Sequence, residues 1–314
     1  MIDSDGYRDG TALWSAAVAR ARMTAKQRGV ESASVLRGFV FDRFLARVFT
    51  PLDGPWVLKG GNAVLARVKG ARATKDLDLL HEPDDLDVAV AALRRLLGID
   101  LGDHFRFVVT KVDTSLGGTG QPDVDGYRVS IDAYCGAKKR GSFHVHLVTG
   151  SLMTDVADVA PSTAGLEVPG LSAPQVRLYP IVDHIADKPC AIQATYGANL
   201  DKPSSRVRDL VVLARTQHVD GAALWHAIRG EWTHRGLPGQ PEFDPPAQWE
   251  SGYPRIARDV RACGPYTTFE SAVGLVRTFL APALDGTARG RGWSPETTTW
   301  SVTGGQRAAP TGRS

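Results

Sequence analysis

Apolar positions along this chain repeat first with a helical period and then with a strand period. Residues 11–30 and 33–49 carry apolar side chains every third or fourth position between arginines, the second run as Leu36, Phe39, Val40, Phe44, Leu45 and Val48, which predicts two amphipathic helices. Trp56, Val57 and Leu58 then read as a short strand that stops at Gly60 and Gly61, and residues 63–68 as a helix with Arg67 facing outward. A second strand over 76–80 takes its apolar faces from Leu77, Leu79 and Leu80, and Pro83 suits the start of a helix over 84–97. Further strands are expected at 105–112, 127–134 and 143–148, with a loop marked by Gly117, Gly118, Gly120 and Pro122. In 127–134 the alternation puts Val129, Ile131 and Ala133 on one face, and Ser130, Asp132 and Tyr134 on the other.

From Tyr179 the pattern turns helical, over 180–188, 204–216, 222–229 and 268–280, with Gly- and Pro-containing linkers between. The chain thus divides into N-terminal helices (1–50), a mixed core (51–160), an α-helical lobe (161–284) and a tail (285–314). That tail is rich in Gly, Thr, Ser and Arg without periodicity, which predicts disorder.

Composition narrows the class. With 314 residues, 43% hydrophobic and 23% charged, the chain can bury a core of one large or two ordinary domains. Cys135, Cys190 and Cys263 have neither ligand spacing nor an even count, so a reducing compartment is expected. No run approaches the roughly eighteen apolar residues of a membrane span, and the first ten residues lack an apolar stretch, so a soluble cytoplasmic protein is expected. A net charge of +3 permits nucleic-acid binding without requiring it. Arg20, Arg22, Lys26, Arg28, Arg37, Arg43 and Arg47, with Lys138, Lys139 and Arg140, are either a solvated surface or contacts to phosphates.

Asp76 and Asp78 carry the chemistry. Residues two apart on a strand share a face, so two carboxylates lie side by side, the oxygen donors that Mg²⁺ prefers and that an incoming nucleoside triphosphate completes. Gly60 and Gly61, ahead of a helix, offer main-chain amides for the phosphates. Turn, helix and acid pair in this order point to nucleotidyl transfer. Asp132 is the candidate third carboxylate of a metal site, while Lys59, Arg67, Lys69, Arg72 and Thr74 are candidates for phosphate contact. Further on, Lys188 and Asp209 stand on successive helices where they can pair beside a nucleotide. His144 and His146 share a strand face without a third ligand and read as ordinary histidines. Ser204, Ser205, Asp183 and His184 lack a nucleophile-elbow motif, which excludes a serine hydrolase.

Three stretches together resemble the AbiEii/AbiGii-type nucleotidyltransferase toxins, MenT toxins included. These are Lys59-Gly60-Gly61 followed by Thr74-x-Asp76-Leu77-Asp78-Leu79, then Ala186-Asp187-Lys188, then Ser205-Arg206-x-x-Asp209-Leu210. The resemblance implies an α+β architecture: a polymerase-β-like nucleotidyltransferase core, a mixed sheet with flanking helices, plus an α-helical C-terminal lobe. It implies Mg²⁺ held by Asp76 and Asp78, Lys188 on the triphosphate, Arg206 at the nucleotide and Asp209 as a catalytic acid. Such toxins belong to toxin–antitoxin or phage-defence systems, and some transfer a nucleotide to the 3′ end of tRNA and stop translation, so NTP, tRNA or another RNA, and an antitoxin are the expected partners. Pro189 directly after Lys188 predicts a kink at the lysine. Two other functions fit the same residues: nucleotidylation of a protein hydroxyl, and partner binding with a vestigial site.

Overall fold

Two helices open the chain, Gly10–Arg28 (α1) and Ser32–Val48 (α2), in the computed structural model, which describes residues 6–68, 74–114, 126–162, 166–194 and 204–302. Asp9 caps α1 by accepting from the N–H groups of Thr11 and Ala12, and Gly29, at φ 67°, ends it in the left-handed region. Its inner face is Leu13, Ala17, Ala21 and Ala25, small side chains against which α2 packs closely. Phe39 and Phe44 of α2 meet Phe105 and Phe107 edge-on at centroid distances of 5.6 and 5.5 Å.

These helices cover one face of a sheet. Trp56–Lys59 (β1) leads into Gly60–Arg67 (α3), Leu77–His81 (β2) and Leu86–Leu97 (α4). Then come Phe105–Asp113 (β3), Gly126–Cys135 (β4), Lys138–Val148 (β5), Asp158–Pro161 (β6) and Gln175–Leu178 (β7). The seven strands lie in the order β3-β4-β5-β2-β1-β7-β6. The β2–β5 and β1–β7 pairs are parallel and the others antiparallel, the mixed sheet that was expected. Leu77 and Leu79 join the main core with residues of α1, α2 and α4, while Leu80 packs on the opposite face with Val57 and Tyr179. Asp78, two residues before Leu80, therefore emerges away from the main core.

The N-terminal helices belong to the same compact unit as the sheet, and that unit includes the chain through Pro180. The strands β6 and β7, four residues each, escape a periodicity reading because so short a run shows barely one alternation. The glycine-rich loop at 117–122 lies outside the described residues, as do Lys69 and Arg72.

Arg43 and Arg47, grouped by sequence with a basic surface, are instead buried. All five guanidinium N–H groups of Arg47 are used: Nε donates to Ile99 O, Nη1 to Arg43 O and Asp103 Oδ2, and Nη2 to Asp103 Oδ1 and Phe105 O. A buried charge is tolerable only when paired and hydrogen-bonded in this way. The contact ties α2 to the segment between α4 and β3.

The second unit is helical, as the pattern indicated. It holds Ile181–Gln193 (α5), Ser204–Thr216 (α6), Val219–Asp220 (β8), Gly221–His234 (α7), Tyr253–Ala257 (α8) and Phe269–Leu284 (α9). Pro189 sits inside α5, which runs on to Gln193. The expectation of a wholly disordered tail from 285 fails. Arg291–Ser294 (β9) and Thr299–Val302 (β10) form a hairpin that joins β8 in a three-stranded sheet. Trp293 is 1% exposed, donates from Nε1 to Ala214 O at 2.6 Å and packs on Phe279. One indole in a polar stretch supplies the buried area that composition hides. Residues 303–314 lie outside the described residues. The three cysteines are free and buried, and among the described residues no helix is long and apolar enough to cross a membrane.

Arg47→Ala should leave the buried Asp103 carboxylate with only the more distant Arg43 guanidinium, at 3.9 Å, and the Phe105 N–H, and cost about 3–5 kcal/mol of unfolding free energy. Urea denaturation measures it, and a loss under about 1 kcal/mol would contradict the role given to this pair. Trp293→Ala should cost about 3–5 kcal/mol in the second unit, read by the same titration.

Candidate active site

The site begins with a register. Lys59 is paired directly with Asp78 across β1 and β2, so the residue after Lys59 arrives beside the Asp78 carboxylate. That residue is Gly60, at φ 60°, and a Cβ placed on it would lie 1.9 Å from Asp78 Oδ2. Only glycine satisfies both the left-handed backbone and the contact. The next two residues continue the pattern: a Cβ on Gly61 would meet Thr74 Cγ2 at 2.3 Å, and Asn62 Nδ2 donates to Asp76 O at 2.8 Å. Residues 60, 61 and 62 thus oppose 78, 74 and 76. Gly60 and Gly61 lie in the first turn of α3 itself, which has no side-chain cap. Its leading amides are the groups that a helix N-terminus offers to an anion.

Asp76 immediately precedes β2 and is half-buried, and the Asp78 side chain is 36% exposed. Asp78 Oδ1 bonds His146 Nδ1 at 3.1 Å, because β2 and β5 pair Asp78 with His146. This hydrogen bond holds the His146 pKa above the usual imidazole value, with burial opposing. His146 is the neighbour that sequence reasoning passed over. Its signal was the His-x-His alternation, which fixes its face but not its partner strand.

Other predicted residues divide. Thr74 lies against the glycine turn, its hydroxyl buried without a hydrogen-bond partner among the described residues. Lys59 faces the same side as Asp78, but its ammonium bonds Ser151 Oγ at 2.8 Å and lies 4.1 Å from the Tyr179 ring centroid. Arg67 is engaged elsewhere, with Nη2 donating to Asp158 Oδ2 at 2.6 Å and to Tyr179 O at 2.8 Å. The structure does not bring Asp132 to the pair. It sits two strands from Asp78, two rows beyond the one that holds His146, and accepts from Lys139 and Ser142 at 2.7 Å each. Two strand spacings are about 10 Å, too far for a shared ion. Lys139 and Ser142 hold its pKa below the usual carboxylate range.

In the second unit, Lys188 and Asp209 are drawn together electrostatically. Burial disfavours the Lys188 ammonium, yet Asp187 and Asp209 outweigh it and raise its pKa, with Arg206 opposing. Lys188 Nζ is 3.1 Å from Asp187 Oδ2, and Asp187 Oδ1 is 2.5 Å from Arg235 Nη2. Arg235 in turn bonds Glu231, and Asp209 accepts from Arg208 at 2.7 Å. The sequence offered Lys188 and Asp209 but not the Asp187–Arg235–Glu231 chain, which needs α5 and α7 side by side.

Among the described residues no group of three or more His, Cys, Asp or Glu is placed to hold a metal alone. The donors fit an ion shared with a ligand, however: two half-exposed carboxylates of hard oxygen beside the leading amides of α3, where phosphate oxygens complete the shell. A mixed sheet carrying an acid pair against a glycine turn defines a nucleotidyltransferase architecture. Residues 43–274 match the family described as nucleotidyl transferase AbiEii toxin, type IV toxin–antitoxin system, and the chain belongs to that family. The chain is similar in structure to MenT4, a nucleotidyltransferase toxin of Mycobacterium tuberculosis H37Rv, with 15% identity, a TM-score of 0.46, and 86% of this chain and 99% of that one covered. It is also similar to JHP933 from Helicobacter pylori, with 12% identity, a TM-score of 0.42, and 82% and 96% covered. A search of curated proteins finds no match.

Gly60→Ala should cost about 1–2 kcal/mol for the left-handed backbone alone, before the clash with Asp78. Thermal unfolding checks it, and an unchanged melting temperature would remove the constraint.

Proposed function

We propose that the protein transfers a nucleoside monophosphate from an NTP to the 3′-hydroxyl of an RNA, most simply the acceptor end of a tRNA, and so blocks translation under the control of a cognate antitoxin. The observation that carries this reading is the opposition of residues 60–62 to residues 74–78, which sets phosphate-binding amides against an acid pair. The new bond joins the acceptor oxygen to the α-phosphorus as its hydroxyl proton passes to water, the bond from the α-phosphorus to the bridging oxygen breaks, and pyrophosphate leaves with that oxygen.

Asp76 and Asp78 are the residues that would hold Mg²⁺, and Asp132 is left out of that set by its distance and its own partners. A divalent ion bound there with the triphosphate supplies neutralisation of phosphate charge. The chain's own contribution is positioning. Gly60 and Gly61 present amides to the triphosphate, Thr74 offers a hydroxyl beside them, and His146 fixes the Asp78 carboxylate. Lys59 and Arg67 hold the walls of the turn through Ser151 and Asp158. In the second unit, Lys188 is proposed to meet triphosphate oxygens, Arg206 to assist at the nucleotide and Asp209 to act as a catalytic acid. The charge kept on Lys188 by Asp187 and Asp209 suits that contact. A cytoplasmic location follows from these substrates.

Purified protein with each α-labelled NTP, total tRNA and Mg²⁺ should label RNA, and the label should vanish with RNase but not protease. Asp76→Ala and Asp78→Ala should each lose at least about a thousandfold in rate without a fall in melting temperature. Undiminished labelling by either variant would sink the assignment, and label that resists RNase but yields to protease would redirect it to a protein hydroxyl.

A further inference from the structure

Given transfer to an RNA hydroxyl as proposed above, in-line displacement requires the attacking oxygen and the departing pyrophosphate on opposite sides of the α-phosphorus. The glycine turn follows β1, which borders β2 on one side, and β5 and then β4 border it on the other. A triphosphate seated on the Gly60 and Gly61 amides therefore leaves the β5–β4 side for the acceptor. That side is a polar sheet face. Arg128, Ser130, His144 and His146 are half-buried on it, while Val129, Ile131, Val145 and Leu147 point into the core.

Pairing sets Asp78, His146 and Arg128 in one row across three strands. Neighbouring strands lie about 4.8 Å apart, so the Arg128 Cα is about 10 Å from that of Asp78, within reach of a long side chain and one bound phosphate. His146 is taken up by Asp78, and Asp113, the residue across from Arg128 on β3, accepts from Lys111 at 3.0 Å. Arg128 Nε is buried with no hydrogen-bond partner among the described residues. Arg43 Nε, Arg67 Nη1 and Arg140 Nε are likewise buried and unpartnered, but those side chains are anchored otherwise, Arg43 to Ser172 O, Arg67 to Asp158 and Arg140 over the Trp14 ring.

We propose that Arg128 is a positioning residue that binds a phosphodiester of the RNA acceptor strand, whose terminal nucleotide crosses β5 toward Asp76 and Asp78. A guanidinium suits this task because its planar fork matches two phosphate oxygens. Ser130 and His144, joined at 3.3 Å in the next row, border the path.

The test compares wild type, Arg128→Ala and Arg128→Lys. Binding of a 5′-fluorescein acceptor-stem RNA is followed by anisotropy in EDTA across a salt series, and KM is measured for RNA and for NTP. Arg128→Ala should raise Kd and KM for RNA about tenfold and lower the slope of log affinity against log salt by about one. KM for NTP should stay within about twofold, and Arg128→Lys should recover part of the RNA affinity by retaining charge. A folded Arg128→Ala protein that binds RNA like wild type, or that loses NTP affinity instead, overturns the assignment and leaves transfer to RNA intact. Wild type that labels no RNA overturns both. Should Arg128→Ala not fold, Arg128→Lys and Arg128→Gln decide by the same two constants, with Gln expected to behave as the loss and Lys as the partial rescue.

Discussion

The site depends on the pairing of Lys59 with Asp78. This register brings a left-handed glycine against a carboxylate with no room for a methyl group, and it aligns the start of α3 with the acid strand. A slip by one residue would turn Asp78 into the apolar core and Leu77 out of it, so burial of Leu77 and Leu79 and placement of the carboxylate are one constraint. Stability of the core and geometry of the site are specified by the same side chains.

Around that register, cations serve two different ends. Arg47 spends every donor inside the core, Arg67 ties α3 to β6, and Lys139 neutralises Asp132 at the hairpin end. Each of the three is held by a contact within the chain. The row Asp78–His146–Arg128, proposed to face a ligand, lies beside Asp76 and the glycine turn. In the second unit the chain Lys188–Asp187–Arg235–Glu231 alternates charge through a largely buried cluster, which keeps the lysine cationic where burial alone would discourage it.

Much of the fold was legible because its elements are long or strongly periodic. The α1 and α2 helices, β1 to β5 and most helices of the second unit fall within a few residues of the positions read from spacing. Short elements were not, since β6, β7 and α8 hold too few residues to show a period, and β9 and β10 hide one dominant aromatic among Gly, Thr and Ser. The acid pair and glycine turn were legible as an ordered set. Asp132 was misplaced because alternation gives a face and says nothing of distance across the sheet. His146 and Arg128 were missed for the complementary reason: their importance comes from the strands beside them, and parallel pairing of β2 with β5 leaves no mark in either segment.

That parallel pairing also has a temporal side. Asp78 and His146 are 68 positions apart, and β5 must be present before β2 acquires the neighbour that fixes its carboxylate. Chains emerge from the ribosome N-terminus first, and contacts so remote in sequence form late. A nascent toxin with only its first hundred residues exposed carries both aspartates and the glycine turn without the framework that aligns them. By that order of emergence the acid pair and the glycine turn precede the strand that completes their surroundings.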